Sequence, residues 1–584
     1  MGIRTHNCGE LSKSDVKKFV SLAGWINSVR THGQIIFVDL RDRYGKTQLV
    51  INDESLLKIG KTLSMEDVIL IEGIVTPRDK NLINPDLSTG HIEVIVSNIK
   101  VLSNAKPLPL SIHDREASTE EHRLKYRYLE LRNNDLQKNL IIRHQTSQIV
   151  REFLSNNNFL EIETPVLMKS TPEGARDYLV PSRVHNGQFY ALPQSPQMYK
   201  QLFMIAGLDR YFQIVKCFRD EDLRSDRQPE FTQIDIEMSF VDEEDVRNTI
   251  EKLIREVFSK VINVSMKKPF PILSYYDAIE RYGTDKPDLR FGLEILDFKD
   301  LADKSDFNAF KNAKDVRLIS APNADFFSRK VIDELDSYAQ SHGAKGLAWF
   351  KVKEGRFEGG ISKFFGDDLQ KEIINQLNLK DDTISFMVGD KKNNSLNVLG
   401  RIRNLIAEKL ELKDNSIFEP VWIVDFPLFS WNEDSKRFDS VNHPFTAPKD
   451  KDIDKVLNNP EEVISKGYDI VINGYEVAGG SIRIYDNELQ RNIFKILDLN
   501  DDEIKEKFGF FIDALKYGTP PHGGIAFGLD RLVMLLSGVN NIRDVIAFPK
   551  TTSASALMEE APSHVSKDQL DELGIKVLDS EKDV

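Results

Sequence analysis

The chain has 584 residues and a formal net charge of −14 at pH 7, a balance that argues against a protein that coats nucleic acid indiscriminately. Its length predicts several domains. No stretch approaches the roughly 18 consecutive apolar residues of a membrane span, and the N-terminus has no apolar signal core. The two cysteines, Cys8 and Cys217, are too far apart to form a Cys-x-x-Cys pair. We therefore expect a cytoplasmic protein with no membrane partner.

Residues 1–103 predict a small β-barrel. Alternating apolar patterns mark five strands, Val20–Val29, Ile35–Arg41, Lys46–Ile51, Val68–Thr76 and Ile92–Leu102, and one helical segment, Asn52–Leu63. Five strands with a helix after the third are typical of the OB-fold, whose exposed face binds single-stranded nucleic acid. On that face Arg30, Phe37 and Gln48 could stack on and hydrogen-bond to unpaired bases. Phe37 alone fits a core position equally well.

A hairpin with one charged face is predicted between residues 210 and 240. The two-residue period of a strand collects apolar side chains on one face: Phe212, Ile214, Phe218, Ile234, Ile236, Met238 and Phe240. The other face holds polar and charged groups with one ring: Gln213, Cys217, Arg219, Phe231, Gln233, Asp235 and Glu237. A solvated face with salt bridges is the plain alternative, but it would gain little from a phenylalanine fixed among carboxylates.

This hairpin resembles a motif of a known family. Phe218-Arg219-Asp220-Glu221, followed by a loop and Arg227-Gln228-Pro229-Glu230-Phe231, resembles motif 2 of the class II aminoacyl-tRNA synthetases. Gly523-Gly524-Ile525-Ala526-Phe527-Gly528-Leu529-Asp530-Arg531 resembles motif 3, with aspartate where many class II enzymes have glutamate. The likeness runs over nearly the whole chain and is strongest to the bacterial aspartyl branch of the family.

A helix and the strand after it resemble motif 1, which forms the dimer interface in this family. The helix carries Ile142, Ile149 and Phe153 at heptad-like spacing, and Phe159–Pro165 follows it. The resemblance therefore implies a homodimer. Periodicity alone fits an internal core helix equally well.

The resemblance implies an α+β multidomain fold with an N-terminal OB-fold β-barrel, a class II synthetase catalytic domain built on an antiparallel sheet, and an α/β insertion domain. The expected boundaries are 1–103 for the anticodon-binding barrel, 104–140 for a linker, 141–283 for the first catalytic segment with motifs 1 and 2, 284–419 for the bacterial insertion, 420–553 for the second catalytic segment with motif 3, and 554–584 for a C-terminal extension.

The same resemblance implies an activity and its reactants. L-Aspartate and ATP, with Mg²⁺, would form aspartyl-adenylate, and the aspartyl group would pass to the 3′ end of tRNA(Asp). The α-carboxylate of aspartate attacks the α-phosphorus itself, so the protein supplies alignment and charge stabilisation rather than a nucleophile.

Residue roles follow from the resemblance. The catalytic residues would be Arg219 and Arg531. Aspartate would contact Glu173, Ser195, Gln197, Lys200, Arg219, Asp235, His443 and Arg483, with Arg483 and Lys200 on its side-chain carboxylate. ATP would contact Arg219, Asp220, Glu221, Gln228, Phe231, Glu476, Gly528, Leu529, Asp530 and Arg531. Magnesium would bind Asp469 and Glu476. By themselves, Lys200 and Glu173 would be read as surface residues and His443 as a structural histidine.

Two rival functions remain open. An asparaginyl-tRNA synthetase is the nearest, but an amide substrate has no use for two cations at its side chain, so Lys200 and Arg483 argue against it. A non-catalytic nucleic-acid-binding relative is the other. The intact Arg219, Glu476 and Arg531 argue against that alternative.

The turn before Phe37 bears on tRNA choice. Bacterial aspartyl enzymes are either strict for tRNA(Asp) or also charge tRNA(Asn), and the turn here reads Arg30-Thr31-His32-Gly33-Gln34. His32 resembles the relaxed enzymes, since strict ones tend to carry leucine there. Imidazole can donate or accept a hydrogen bond and so tolerates either base. A solvated turn residue is the alternative, and Thr31 and the Lys80-Asn81 loop depart from the expected pattern.

Overall fold

The computed structural model describes residues 2–171, 175–221, 226–267, 269–449 and 453–578, with only the backbone at 453–455. The chain forms two compact units. One contains the residues up to Lys138 together with Ala556–Ala561. The other contains Asn139–Ser555 and the residues from Pro562 onward.

The first unit contains the predicted OB-fold barrel. Within residues 19–103, all of which are described, the strands are Phe19–His32, Ile35–Asp42, Gly45–Ile51, Val68–Pro77 and Ile92–Ser103. They close into a barrel in the order first, second, third, fifth, fourth. The helix Glu54–Gly60 follows the third strand, and Asp53 caps it by accepting from the Ser55 backbone N–H. Alternate strand residues such as Val20, Leu22 and Val38 fill the core, so the predicted OB-fold is confirmed.

The segment after the barrel is largely helical. It contains Glu120–Lys125, Arg127–Glu130 and the beginning of Asn134–Asn156, which is the predicted motif 1 helix. The strand Leu160–Glu161 follows that helix and pairs in parallel with Tyr211–Phe212.

The second unit is built on a large sheet. Its strands, counted over the described residues, are eight and lie in the order Ile272–Ser274, Pro420–Val424, Gly467–Ile472, Tyr475–Ile482, His522–Gly528, Glu230–Ser239, Arg210–Phe218 and Leu160–Glu161. All neighbouring strands are antiparallel except the outermost pair at each edge. We call this the central sheet.

The hairpin predicted at motif 2 lies within the central sheet and has the two predicted faces along its strands. Phe240 was wrongly predicted on the apolar face: the strand ends at Ser239, and Phe240 has a left-handed backbone and is 74% exposed. Arg210–Phe218 pairs with Glu230–Ser239, and Cys217 stands opposite Phe231. The apolar face packs into the main core with helix Glu243–Ile262. That helix begins with an Asp242–Asp245 capping box. Burying one face in this way leaves the charged face to line a cavity.

The insertion interrupts the central sheet in sequence. Its sheet, within the fully described residues 284–419, has the order Ile295–Asp297, Asp315–Pro322, Thr383–Asp390, Ala348–Lys353 and Arg356–Glu358. Its helices are Lys299–Asp303, Asn308–Lys311, Arg329–Ser341, Asp367–Gln376 and Lys392–Lys409. These elements form two apolar clusters of their own, as a separately folded insertion requires.

Smaller elements complete the second unit. Two hairpins pair Leu179–Pro181 with Phe189–Ala191 and Phe429–Asn432 with Arg437–Ser440. The remaining helices are Gln197–Ile205, Tyr275–Tyr282, Ile453–Asn458, Asn487–Ile496, Asp501–Ala514, Leu529–Ser537 and Lys567–Leu573. In the described part of the chain, none of the helices has the length and apolar character needed to cross a bilayer.

Candidate active site

A cavity of about 490 Å³ opens on the charged face of the central sheet. It brings together ten of the residues singled out in the sequence: Ser195, Gln197, Lys200, Arg219, Glu221, Asp235, His443, Asp469, Glu476 and Arg483. Three of them lie in strands, two lie in helix Gln197–Ile205, and five lie outside the helices and strands, in segments that are far apart in sequence. Glu173, predicted to contact the amino acid, lies outside the described residues.

Four buried charges form the floor of this cavity, and we call them the charge quartet: Lys200, Asp235, Glu237 and Arg483. Lys200 Nζ lies 2.7 Å from Asp235 Oδ1 and 3.4 Å from Glu237 Oε2. Arg483 Nε and Nη2 donate to Glu237 Oε1 and Oε2 at 2.9 and 3.0 Å. All four side chains are buried. Two cations and two carboxylates in mutual contact make the quartet neutral.

Glu237 requires a glycine on the neighbouring strand. Gly524 stands opposite Glu237 in the sheet, and a Cβ at residue 524 would overlap a carboxylate oxygen of Glu237. The motif 3 glycine therefore leaves room for the carboxylate that holds Arg483.

Arg483 has one edge of its guanidinium already occupied. The Nε–Nη2 edge forms the fork to Glu237, and Nη1 donates to Ser481 Oγ at 2.6 Å. Nη1 also lies 2.6 Å from His443 Nε2. A bidentate contact to a substrate carboxylate would therefore have to use the Nη1–Nη2 edge, where it would replace at least one of the Nη1 contacts to Ser481 and His443.

His443 is neutral in this setting. Burial, together with the nearby Arg483 and Lys200 charges, lowers the pKa of His443 well below its ordinary value of about 6.5. Nε2 lies 2.6 Å from the Arg483 Nη1 donor, and Nδ1 accepts from the Phe445 backbone N–H at 3.2 Å and lies 3.4 Å from Thr446 Oγ1. His443 thus adds a hydrogen-bonding group to the pocket without adding charge.

The two carboxylates of the quartet differ in their proton affinity. For Glu237, burial favours protonation, but the Arg483 and Lys200 charges outweigh it and lower the pKa. For Asp235, burial raises the pKa in spite of Lys200. The ionised form of Asp235 is less stabilised than that of Glu237 because Asp235 Oδ2 accepts no hydrogen bond from the described residues.

The amide of Gln197 also lacks a partner. Its Nε2 is buried and donates to no group among the described residues. A free carboxylate oxygen on Asp235 and a free amide donor on Gln197 therefore line the same cavity. A ligand with an ammonium group beside a carboxylate would satisfy both.

The far side of the cavity carries a second pair of carboxylates. Asp469 and Glu476 converge over Gly479, where a Cβ would lie 2.7 Å from Asp469 Oδ1 and 3.5 Å from Glu476 Oε1. Burial and the Glu476 charge raise the pKa of Asp469. Burial opposes ionisation of Glu476 as well, yet Lys286 and the Arg531 and Arg219 charges keep its pKa low.

This pair fits a hard divalent cation. Within the described ranges, no group of three or more His, Cys, Asp or Glu side chains is arranged as a metal cage. Two converging carboxylates over a glycine nevertheless suit Mg²⁺, which usually takes one or two protein carboxylates and completes its shell with water and phosphate oxygens.

Arginines border the space next to this pair. Arg219 stacks on Phe231, with its Cζ 5.1 Å from the ring centroid. Arg531 donates through Nη1 to the Glu476 backbone carbonyl and lies 3.2 Å from Asp226 Oδ2 through Nη2. Glu221 pairs with Arg227 at 2.7 Å. Positive charge and an aromatic face beside the carboxylates are suited to a nucleotide.

Several predicted ATP contacts have structural partners instead of facing this cavity. Gln228 exchanges two hydrogen bonds with the Lys550 backbone, at 3.1 and 2.8 Å. Asp530 accepts from Arg143 Nη1 at 2.5 Å and from the Thr232 N–H at 2.8 Å. Leu529 is buried in the main core. Gly528 precedes helix Leu529–Ser537 as its N-cap, and Asp220 is half-buried with Arg176 3.8 Å away.

Three residues of the site had no predicted role: Lys286 lines the cavity, and Glu237 and Ser481 bind Arg483. Glu237 was placed on the correct face but given no role, although the Asp235-x-Glu237 spacing already put both carboxylates side by side. Ser481, two residues before Arg483, was overlooked in the same way. Lys286 lies in the irregular segment that enters the insertion, where no periodicity marks it.

The predicted base-contacting residues share one face of the barrel. Phe37 is half-exposed and lies directly opposite Arg30 in the sheet. Arg30 Nη2 donates to Asp39 at 3.1 Å and to Gln48 Oε1 at 3.2 Å. Gln48 in turn donates to Glu93 at 2.8 Å. His32 is exposed at the end of the first strand. Phe37 is not part of the barrel core cluster, which favours the surface interpretation.

Comparisons with known proteins agree with both units. A sequence model of the family described as tRNA synthetases class II (D, K and N) matches residues 119–552. A model described as an OB-fold nucleic acid binding domain matches residues 20–102. The chain belongs to the class II tRNA synthetases. Enzymes of this family use ATP as a substrate, which agrees with the arginines and the aromatic ring at the cavity.

Relatives of this class II synthetase match it end to end. An "Aspartate--tRNA(Asp/Asn) ligase" of Caldanaerobacter subterraneus is 51% identical over 581 residues and covers 98% of each chain. An "Aspartate--tRNA ligase" of Staphylococcus saprophyticus is 48% identical, covering 99% of this chain and all of the relative. An asparaginyl-tRNA synthetase from Pyrococcus horikoshii shares the fold at a TM-score of 0.60 and 19% identity, covering 94% of this chain and 99% of that one.

Proposed function

We propose that this class II synthetase is an aspartate–tRNA ligase. It activates L-aspartate with ATP and transfers the aspartyl group to the 3′ end of tRNA(Asp), and of tRNA(Asn) as well. The observation that carries the proposal is the buried charge quartet together with two polar atoms that have no hydrogen-bond partner among the described residues. These atoms are Asp235 Oδ2, within the quartet, and Gln197 Nε2 in the same cavity. Full-length relatives named as aspartate–tRNA ligases support it.

The quartet explains a preference for aspartate. The free oxygen of Asp235 receives the α-ammonium group, and Gln197 donates to the α-carboxylate. The side-chain carboxylate then lies against Lys200 and the Nη1–Nη2 edge of Arg483. Because Glu237 is bonded to the other edge of Arg483, the guanidinium is already oriented before the substrate arrives, which reduces the ordering cost of binding. Asparagine would bring an uncharged amide to the same two cations and would lose the charge-assisted hydrogen bonds that a carboxylate accepts from them.

The chemistry needs no nucleophile from the protein. An α-carboxylate oxygen of aspartate attacks the α-phosphorus of ATP, and pyrophosphate leaves. Arg219 holds the attacking carboxylate and the α-phosphate in line, and Arg531 binds the outer phosphate. The 3′-terminal ribose hydroxyl of the tRNA then attacks the aspartyl carbonyl, and AMP leaves. The remaining ATP contacts, at Asp220, Glu221, Gln228, Phe231, Gly528, Leu529 and Asp530, stay predictions.

Asp469 and Glu476 would hold Mg²⁺, whose charge would neutralise the polyphosphate. Glu476 has a second role in the site, because its backbone carbonyl accepts a hydrogen bond from Arg531 and so orients that side chain. ATP and tRNA as reactants also favour a cytoplasmic location.

The barrel would bind the anticodon loop. Phe37 offers its ring for base stacking, and Arg30 and Gln48 offer hydrogen bonds from a connected network. His32, exposed beside them, would let the barrel accept the anticodons of both tRNA(Asp) and tRNA(Asn).

A homodimer would form through the motif 1 strand and the hairpin beyond it. Large apolar side chains are exposed along this stretch: Leu160, Val166, Leu167, Leu179, Val184, Phe189 and Tyr190. A run of exposed apolar residues of this kind marks an interaction surface, and a two-fold contact would cover it with a second copy. Analytical ultracentrifugation of wild type and Leu160→Asp tests it, with a monomeric wild type as the opposing result.

Aspartylation of purified transcripts tests the function. Wild type should charge transcripts of tRNA(Asp) and tRNA(Asn), and His32→Leu should lower the tRNA(Asn) share. A wild type that ignores the tRNA(Asn) transcript would restrict the enzyme to tRNA(Asp). An unchanged ratio in His32→Leu would remove His32 as the determinant. Failure to charge either transcript would refute the ligase itself.

A further inference from the structure

The loop that enters the insertion places a lysine at the active site. Lys286 lies four residues beyond helix Tyr275–Tyr282 and lines the same cavity as Asp469 and Glu476. Its Nζ is 2.8 Å from Glu476 Oε2. The contact is therefore to one of the two carboxylates proposed to hold Mg²⁺.

The backbone that carries Lys286 is held firmly by the insertion. Arg403, buried in helix Lys392–Lys409, donates to the carbonyls of Asp288, Phe291 and Gly292 at 2.7, 2.9 and 2.9 Å. Its guanidinium also stacks over Phe291, 4.2 Å from the ring centroid. Five donors on one arginine allow this clamping of consecutive carbonyls. The loop is therefore fixed relative to the insertion.

The Lys286 side chain is not fixed in the same way. It is 43% exposed, and its Glu476 partner is 31% exposed. A long, flexible stem on a clamped backbone lets the ammonium group move over several ångströms while its origin stays in place. An exposed ion pair of this kind is also weak enough to be exchanged.

The carboxylates around Lys286 are stabilised by a nearby positive charge. Asp469 and Glu476 converge over Gly479, and Asp285, next to Lys286, lines the cavity beside them. Like charges this close repel each other, and the partial exposure of Glu476 reduces that repulsion without removing it. In the ligand-free protein Lys286 supplies the ammonium group bonded to the Glu476 side chain. A divalent cation would bind the same carboxylate.

We propose that Lys286 is a positioning residue that holds Glu476 in the metal-free enzyme and gives way to the divalent cation when Mg²⁺ and ATP bind. The displaced ammonium group then turns to the ATP polyphosphate, the nearest new anion. The insertion, through Arg403, sets where that lysine stands. This inference rests on the proposed function, because it takes ATP and Mg²⁺ as the ligands of the cavity.

Two binding measurements separate this role from a merely structural ion pair. Mn²⁺ alone is titrated by electron paramagnetic resonance, and ATP in EDTA by calorimetry, for wild type, Lys286→Met, Lys286→Arg and Lys413→Met. Lys413 lines a neighbouring cavity of about 690 Å³ and serves as the matched control. Circular dichroism melting verifies that each variant is folded.

Lys286→Met should bind Mn²⁺ roughly three- to tenfold more tightly, because its competitor for Glu476 is gone, and metal-free ATP more weakly by a similar factor. Lys286→Arg should keep the ATP affinity, and Lys413→Met should match wild type in both. Unchanged or weaker Mn²⁺ binding by Lys286→Met would overturn the proposal, since a structural role would weaken both ligands. Failure of wild type to aspartylate tRNA would instead refute the proposed function, and the Mn²⁺ comparison would still decide the competition at Glu476.

Discussion

The catalytic cavity and the barrel face both use an arginine bonded to a carboxylate, in opposite settings. Arg483 is 1% exposed and forms a two-nitrogen fork with Glu237. The Arg30 side chain is 55% exposed, and a single nitrogen meets Asp39. Removing one partner of the buried pair leaves a charge with no water and no counter-ion, whereas water replaces a partner lost from the exposed pair. The same side-chain chemistry therefore contributes several times more free energy in the cavity than on the barrel face.

The largest effect is expected from Arg483→Leu. The change removes a cation proposed to bind the substrate and leaves buried Glu237 with Lys200, 3.4 Å away, in place of its two-nitrogen fork, so aspartate activation and unfolding free energy should each fall by roughly 3–5 kcal/mol. ATP–pyrophosphate exchange and urea unfolding measure the two losses. In the double variant Arg483→Leu/Glu237→Gln, stability should recover and aspartate activation should not. Near-normal aspartate activation by Arg483→Leu would contradict the assignment.

Glu237→Gln tests the other partner of the buried Arg483–Glu237 pair. The amide keeps one acceptor but loses the charge that orients Arg483, so aspartate activation should fall by roughly 1.5–3 kcal/mol. The matched control is Glu294→Gln, which breaks an exposed pair to Arg281 with a 2.6 Å contact. That control should lower the unfolding free energy by less than about 1 kcal/mol. Equal stability losses for the two variants would remove the distinction between buried and exposed pairs.

Phe37→Ala tests the barrel side. Loss of one base stack should weaken aminoacylation of tRNA(Asp) by about 1–3 kcal/mol and leave tRNA-independent adenylate formation unchanged. Phe19, also in the first unit and 61% exposed, offers the control: Phe19→Ala should change neither activity. If Phe37→Ala lowers both activities together, Phe37 supports the fold of the protein rather than binding tRNA.

The smallest effect concerns pH and His443. Its pKa in the folded protein is well below 6.5, through burial and the Arg483 and Lys200 charges. The unfolded chain therefore takes up a proton below pH 6.5 that the folded chain refuses. The stability contributed by neutral His443 is complete above pH 6.5 and declines as the pH falls below it, by at most about 1.4 kcal/mol per pH unit.

Urea unfolding of the ligand-free protein between pH 5 and 8 measures this slope. His443→Gln should flatten it, although not fully, because burial also lowers the pKa of His522. An identical slope in wild type and His443→Gln would mean that the fold does not lower the pKa of His443.

Local patterns predicted the hairpin and its two faces because a strand's period is a property of neighbouring residues. The barrel strands were predicted to within a few residues for the same reason, with only the ends and the length of the helix adjusted. The partners within the site were not predictable in this way. Glu237 and Arg483 are 246 positions apart, and Arg143 and Asp530 are 387 apart. Only the completed tertiary fold brings the two members of each pair into contact, so a single sequence can assign a residue to one face of a strand or helix but cannot identify its partner.

Amino-acid-dependent ATP–pyrophosphate exchange, without tRNA, tests the central claim most directly: that the buried charge quartet selects aspartate. Wild type is assayed with L-aspartate and with L-asparagine at equal concentrations, with Glu294→Gln as the folded control. Exchange that requires L-aspartate and is negligible with L-asparagine is the predicted result. Exchange supported equally by L-asparagine, or by neither amino acid, would contradict it.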